Sequence, residues 1–392
     1  MGEIQKRPFQ LSFNIDQLLS TLRKYSFCIC LFAFVLVSRS LTSGGAYFAD
    51  GPSHLKAIAD GTFVIQPPGY WLFNRLAALF PNPERAILVF NWLVSACGAI
   101  VFYRIGQLAV APYMAKLSAI LYASVFFAWF SGNVHSTYAS QLLFPLLTIY
   151  LMLRFRRSPS SFFAVGVGLS FAIGAGLRPS DGAFLGPLML YFAIRYLSKH
   201  QAAICLLTAT VGCLLWLIPD LIALHHFQTK SFPSQVGGVA TGAILLGHFN
   251  LFTFSNALRF FLPLAIAVGP ILPFAFMNHS PFRKMLWVAI LPGSAFFLLV
   301  YISDAPYLNF LLGATLLLCV QGIEFKLRRA QASAVLVAAI LLNVSTYLFF
   351  QPISLPGKAA LVALIVNKDI GLYTHPAVVN RWMYTIQSEM NK

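Results

Sequence analysis

The chain has 392 residues, of which 58% are hydrophobic and 10% charged, and its formal net charge is +16. Soluble domains carry about 25% charged residues, so this composition excludes a soluble globular protein and indicates a polytopic membrane protein. The excess of cations does not indicate a nucleic-acid binder, because Lys and Arg alternate between loops instead of forming one patch.

Residues 1–24 form a cytoplasmic N-terminal segment. Leu11, Ile15, Leu18, Leu19 and Leu22 recur there at helical spacing, and Arg23 and Lys24 follow. This pattern fits a helix lying on the inner leaflet, or an extension of the first span. The first apolar run, 25–43, lacks a small-x-small cleavage site and should remain as an anchor. Spanning needs about 20 apolar residues. About eleven such runs are present, near 25–43, 86–104, 112–130, 137–153, 161–177, 183–198, 202–222, 259–278, 284–302, 306–323 and 332–350. The predicted fold class is therefore an all-α polytopic membrane protein with about eleven transmembrane helices. Residues 25–350 are its membrane domain and 351–392 a short extracytoplasmic tail.

Charge sets the expected orientation. With the N-terminus in the cytoplasm, short inner loops hold Arg104, Lys116, Arg154, Arg156, Arg157, Arg195 and Lys199, and later Arg283, Lys284, Lys326, Arg328 and Arg329. Most acids fall on the other side. An odd number of spans puts the C-terminus outside. The expected location is the inner or plasma membrane.

The irregular sequence concentrates in the outer loops, above all 44–85 and 223–258. In the first, Pro52 suits a helix start and Gly61 the residue past a helix end, which predicts a short helix over Pro52–Asp60. Asp50 stands before that helix, where the dipole favours a negative charge. His54 follows one turn in. Gln66-Pro67-Pro68 reads as extended. A second short helix, about Gly69–Phe80, carries Tyr70, Trp71 and Phe73 and is expected at the membrane interface. The next outer loop holds His135 and Tyr138, and the helix pair beyond it carries Gly176-Leu177-Arg178-Pro179. The later loop with Gly237, Gly238, Gly242, Gly247 and His248 reads either as a surface loop with scattered polar residues or as a mobile loop able to close over donor or acceptor, and Asp304 as a turn residue. The six cysteines lie in spans without metal-type spacing and read as packing residues.

An acid just after the first span, a short helix ending at Gly61, the Gln66-Pro67-Pro68-Gly69-Tyr70 motif and the Arg178-Pro179 element together resemble the GT-C superfamily of glycosyltransferases that use polyprenyl-phosphate sugars. The pattern is nearest to the protein-mannosyltransferase-like and lipopolysaccharide-core-modifying types. The resemblance implies an inverting transferase that takes a sugar from undecaprenyl phosphate or a similar carrier. The acceptor would be a lipid-linked glycan, a polysaccharide or a protein, with the lipid bilayer as further partner. Asp50 matches the catalytic carboxylate. Arg178 matches a group that holds the donor phosphate, and His54, Gln66, His135 and Tyr138 are candidate substrate-binding residues. The chain departs from the pattern at Gly51, where relatives often have a second acid, and in the loop Gly132–Tyr138, which has none. No cofactor is required by the pattern; a divalent metal is compatible with it, and its ligands are unknown. A transporter or flippase for an amphipathic solute is the alternative. It predicts charges at the bundle midplane and broken helices in paired positions, whereas most charges here lie at span ends.

Overall fold

The computed structural model describes residues 15–42, 50–65, 69–231, 254–277, 280–300, 302 and 305–349. Gln66, Asp304, the glycine-rich stretch 232–253 and the tail 351–392 lie outside them. The side chain of Asp50 is likewise outside them, although its backbone is described.

The described chain is helical. α1 is Ile15–Thr42, α2 Asp50–Ala59, α3 Trp71–Ala77 and α4 Pro83–Ala109. α5 is Pro112–Ser124 and α6 Phe126–Ser131, and a 3-10 turn, Tyr138–Leu142, leads into α7, Phe144–Arg157. α8 is Ser161–Leu177, α9 Pro179–Tyr196 and α10 Lys199–Ser231. α11 is Phe254–Val268, α12 Arg283–Leu299, α13 Asn309–Lys326 and α14 Arg329–Phe349. Among the described residues six segments are long and apolar enough to cross a membrane by length and composition. The other apolar runs form shorter or broken helices. α5 and α6, for example, part at Val125, whose ψ is 125°, and α8 has 17 residues.

α13 is the axis of the bundle, and every residue from Asn309 to Ile323 is buried. α10 instead displays Leu207, Leu215, Leu221 and Ile222 outward, and α14 displays Leu341. Exposed apolar side chains on long helices are the surface a bilayer covers. Small residues let helices approach closely. Gly168 of α8 lies against the backbone of Cys205 and Ala209 in α10, with no room for a side chain. Trp216 Nε1 then donates to the Ala172 carbonyl at 3.0 Å.

Local chemistry sets the corners. Pro83 opens α4, and Asn82 caps it by accepting from the Arg85 N–H at 3.0 Å. Pro179 opens α9 and forces Arg178 into extended backbone, φ −145° and ψ 96°. That corner turns the chain between two helices at one residue. α2 begins two residues earlier than the spacing predicts. α3 is shorter than expected, because Gly69 (φ 113°) and Tyr70 (φ 67°) are left-handed and outside the helix.

Candidate functional site

Three loops meet at one end of the bundle: the α2–α3 hairpin, the segment between α6 and α7, and the α8–α9 corner. The hairpin is held by His54 and Asn74, both buried. Asn74 Nδ2 donates to the Phe63 carbonyl at 2.9 Å, which leaves Oδ1 to accept from His54 Nδ1 at 2.7 Å. His54 is thus the Nδ1–H tautomer, with Nε2 as a lone-pair acceptor. Its ring meets Tyr70 and Phe73 edge-on, at 5.6 and 5.2 Å. Burial pushes the imidazole pKa down to about 4; the Asn74 bond opposes this, and the nearby Arg178 and His135 add to it. His54 is therefore neutral at physiological pH.

The second loop is pinned by asparagines. Asn91 donates to the carbonyls of Val134 and Ser136 at 2.7 and 3.0 Å. Asn309 donates to Ser131 Oγ at 2.8 Å and to the Tyr138 carbonyl at 3.3 Å. Asn133 donates to Thr42 Oγ1 at 2.8 Å and Tyr347 O–H at 2.6 Å. These bonds fix the segment that presents His135, Thr137 and Tyr138.

Arg178 is the centre of the site and is 3% exposed. Its guanidinium lies over Tyr138 at 4.0 Å and near Tyr307 at 5.1 Å. Nη1 donates to Thr137 Oγ1 at 2.9 Å. Asp181 Oδ1 is 3.9 Å from Arg178 Nε and accepts from Gln141 Nε2 at 2.6 Å. Arg178 Nε, Asp181 Oδ2 and Gln141 Oε1 have no hydrogen-bond partner. Buried polar groups are normally satisfied, and a carboxylate paired in full would meet the guanidinium through two parallel bonds. Asp181 therefore neutralises Arg178 from one side while leaving donor capacity for another anion.

His135 is buried beside this group. Its Nε2 is 3.6 Å from Glu84 Oε1, and neither ring nitrogen has a hydrogen-bond partner. Burial lowers the His135 pKa and Glu84 pulls it back up. A small apolar groove with about 40 Å³ of free space lies alongside, lined by Phe73, Leu76, Phe80, Ile87, Phe90 and Leu177, the residue before Arg178.

Of the residues singled out in the sequence, His54, His135, Tyr138 and Arg178 are brought together. Asp50 supplies the first residue of α2, one turn before His54. Thr137, Gln141 and Glu84 escaped the sequence reading, as did Asn74 and Tyr307. Arg39, also missed, is 1% exposed, donates to the Ala123 carbonyl and lies 4.5 Å over Trp129. Among the described residues no three of His, Cys, Asp and Glu gather as metal ligands.

The bundle shares its fold with two solved structures. It matches the arabinofuranosyltransferase AftD from Mycobacteria at TM-score 0.54 and 12% identity, over 83% of this chain and 27% of that one. It also matches ArnT from Cupriavidus metallidurans, solved bound to undecaprenyl phosphate, at TM-score 0.55 and 14% identity, over 93% and 76% of the two chains. The chain thus spans about a quarter of AftD's length. Residues 66–222 match the family model described as dolichyl-phosphate-mannose-protein mannosyltransferase. The resemblance to the GT-C superfamily drawn from the loop motifs is borne out. No curated protein matches the chain. The matched segment contains His135, Tyr138, Arg178 and Asp181 but begins after Asp50 and His54.

Proposed function

We propose that the protein is a membrane glycosyltransferase that moves a sugar from a polyprenyl-phosphate carrier to a hydroxyl acceptor on the outer face of the membrane. The carrying observation is Arg178, a buried cation held between two tyrosines and only partly neutralised by Asp181. Such a group suits the leaving phosphate, because fixed positive charge in a site with little water stabilises charge developing there. The adjoining apolar groove suits the first isoprenoid units of the carrier. The ArnT fold, solved with undecaprenyl phosphate, supports the same class of carrier.

Asp50 is assigned as the base. The acceptor oxygen attacks the anomeric carbon from the face opposite the phosphate. The acceptor O–H proton passes to the Asp50 carboxylate as the new C–O bond forms. The C–O bond to phosphate breaks, and polyprenyl phosphate leaves against Arg178 with the bonding electrons. The acceptor, a lipid-linked glycan, polysaccharide or protein, enters from the outer side. That orientation, with the N-terminus in the cytoplasm, rests on the distribution of Lys and Arg.

Arg39, Arg178 and Asp181 are charges inside the bundle, as a transporter also requires. They sit in the last turn of α1 and at the α8–α9 corner, not at mid-helix. This placement favours the transferase. The test incubates membranes containing the protein with labelled polyprenyl-phosphate sugars. Label should enter a lipid, glycan or protein fraction above the level in membranes without the chain. No transfer from any such sugar, with facilitated movement of the carrier lipid between leaflets, would favour the transporter.

A further inference from the structure

The proposed reaction gives Arg178 the phosphate and Asp50 the acceptor proton, and it leaves His135 and Glu84 without a role. Their geometry is unusual for a merely structural pair. His135 is 1% exposed while Glu84 is 60% exposed, so the pair runs from the site to the surface. Both ring nitrogens of His135 lack hydrogen bonds, in a loop whose neighbouring carbonyls are all tied by Asn91. Glu84 stands in the first turn of α4, where the helix N-terminus favours its negative charge. An imidazole held 3.6 Å from a carboxylate, with one nitrogen left for a ligand, is the arrangement of a proton carrier.

We infer that His135 and Glu84 form a proton relay for the leaving phosphate, His135 taking up a proton when the carrier phosphate binds at Arg178 and Glu84 connecting it to solvent. This rests on the reading of Arg178 as the phosphate site. In the free protein His135 faces Glu84, and the neutral His54 lies within electrostatic reach of both His135 and Arg178, with Asp181 beside Arg178. Burial favours the neutral imidazole of His135; Glu84 favours the protonated one. An arriving phosphate brings negative charge into the site and shifts that balance toward protonation. During transfer the C–O bond to phosphate breaks and the phosphate gains a second negative charge. The His135 proton then passes to that phosphate oxygen. The ring is left neutral, polyprenyl phosphate leaves with that proton, and the next carrier to bind draws a fresh proton from solvent through Glu84. Asp50 releases the acceptor proton to solvent before the next turnover, so protons balance over the cycle.

The test is calorimetric titration of the full chain in lipid nanodiscs with undecaprenyl phosphate, in two buffers of different ionisation enthalpy. The wild type should bind with net proton uptake near neutral pH. His135→Gln should bind without that uptake. Glu84→Gln, a change at an exposed side chain, should retain binding but move the pH midpoint of uptake to lower pH, because the group that favours the charged imidazole is gone. Binding by the wild type without uptake overturns the relay and leaves the phosphate site intact. Equal uptake in His135→Gln, or an unmoved midpoint in Glu84→Gln, also overturns it. Failure of the wild type to bind undecaprenyl phosphate overturns both the relay and the reading of Arg178.

Discussion

The Asp220 carboxylate accepts the backbone N–H of Trp71 at 3.0 Å and fills the space that a side chain at residue 69 would occupy. A helix in the second half of the matched segment thereby reaches Gly69 and Trp71 near the segment's start. Asp220 fixes the start of α3, and α3 carries Asn74, the partner of His54.

This contact makes Gly69→Ala a double insult. The backbone at φ 113° disfavours any side chain, and a Cβ there collides with Asp220. Strain of this kind costs on the order of 1–3 kcal/mol. Thermal melting in detergent should show the loss. Asp220→Asn keeps an acceptor for Trp71 and should be much milder than Asp220→Ala.

Arg178 and Asp181 are coupled by burial, and their variants should not be additive. Arg178→Ala leaves a buried carboxylate without its cation, a loss of roughly 3–5 kcal/mol. Asp181→Asn in the same chain should restore most of the melting temperature and none of the transfer. Arg178→Lys keeps the charge but cannot lie flat on Tyr138 or present a fork to phosphate. Transfer should fall at least about ten-fold, or about 1.4 kcal/mol of barrier.

The fold is legible in the sequence where a local rule decides. The Arg178-Pro179 pair fixes the corner that aims the arginine, because the residue before proline must be extended. Hydropathy and turn residues mark His135 and Tyr138 as loop groups at a helix end. What was not legible depends on distant neighbours. Arg39 falls inside the first apolar run and has no reading from the sequence, yet Trp129 and the Ala123 carbonyl enclose it. Asp220 reads as one acid near a helix end, and its meaning comes from Trp71, 149 residues away. The helix over 69–80 is shorter in the structure because Gly69 and Tyr70 are left-handed, which residue type alone does not announce at a tyrosine.

The burial of Arg39 carries its own prediction. It satisfies the Ala123 carbonyl at the break between α5 and α6. Arg39→Met would leave that carbonyl unpaired, a cost of about 1–3 kcal/mol, and loosen the segment that carries His135. Arg39→Lys should recover only part of the loss, since an ammonium cannot lie flat on Trp129. Melting curves of the three proteins check the order.

His54 makes the protein acid-sensitive in a defined window. Its folded pKa is depressed to about 4 from 6.5. Below 6.5 the unfolded chain binds a proton that the folded chain refuses. Stability is therefore full above 6.5 and falls as pH drops toward 4, by roughly 3 kcal/mol at 1.36 kcal/mol per pKa unit. His54→Gln removes the titrating group. The difference in melting temperature between wild type and variant should change with pH only inside that window.

Transfer by the Asp50→Asn protein is the most direct measurement. Wild-type and variant chains, reconstituted in proteoliposomes at equal amounts, are given labelled polyprenyl-phosphate sugar and an envelope acceptor fraction. Label should move to the acceptor with the wild type, and the variant should be inactive although folded and still able to bind polyprenyl phosphate. Transfer at the wild-type rate by Asp50→Asn would contradict the assignment of the base and the mechanism built on it.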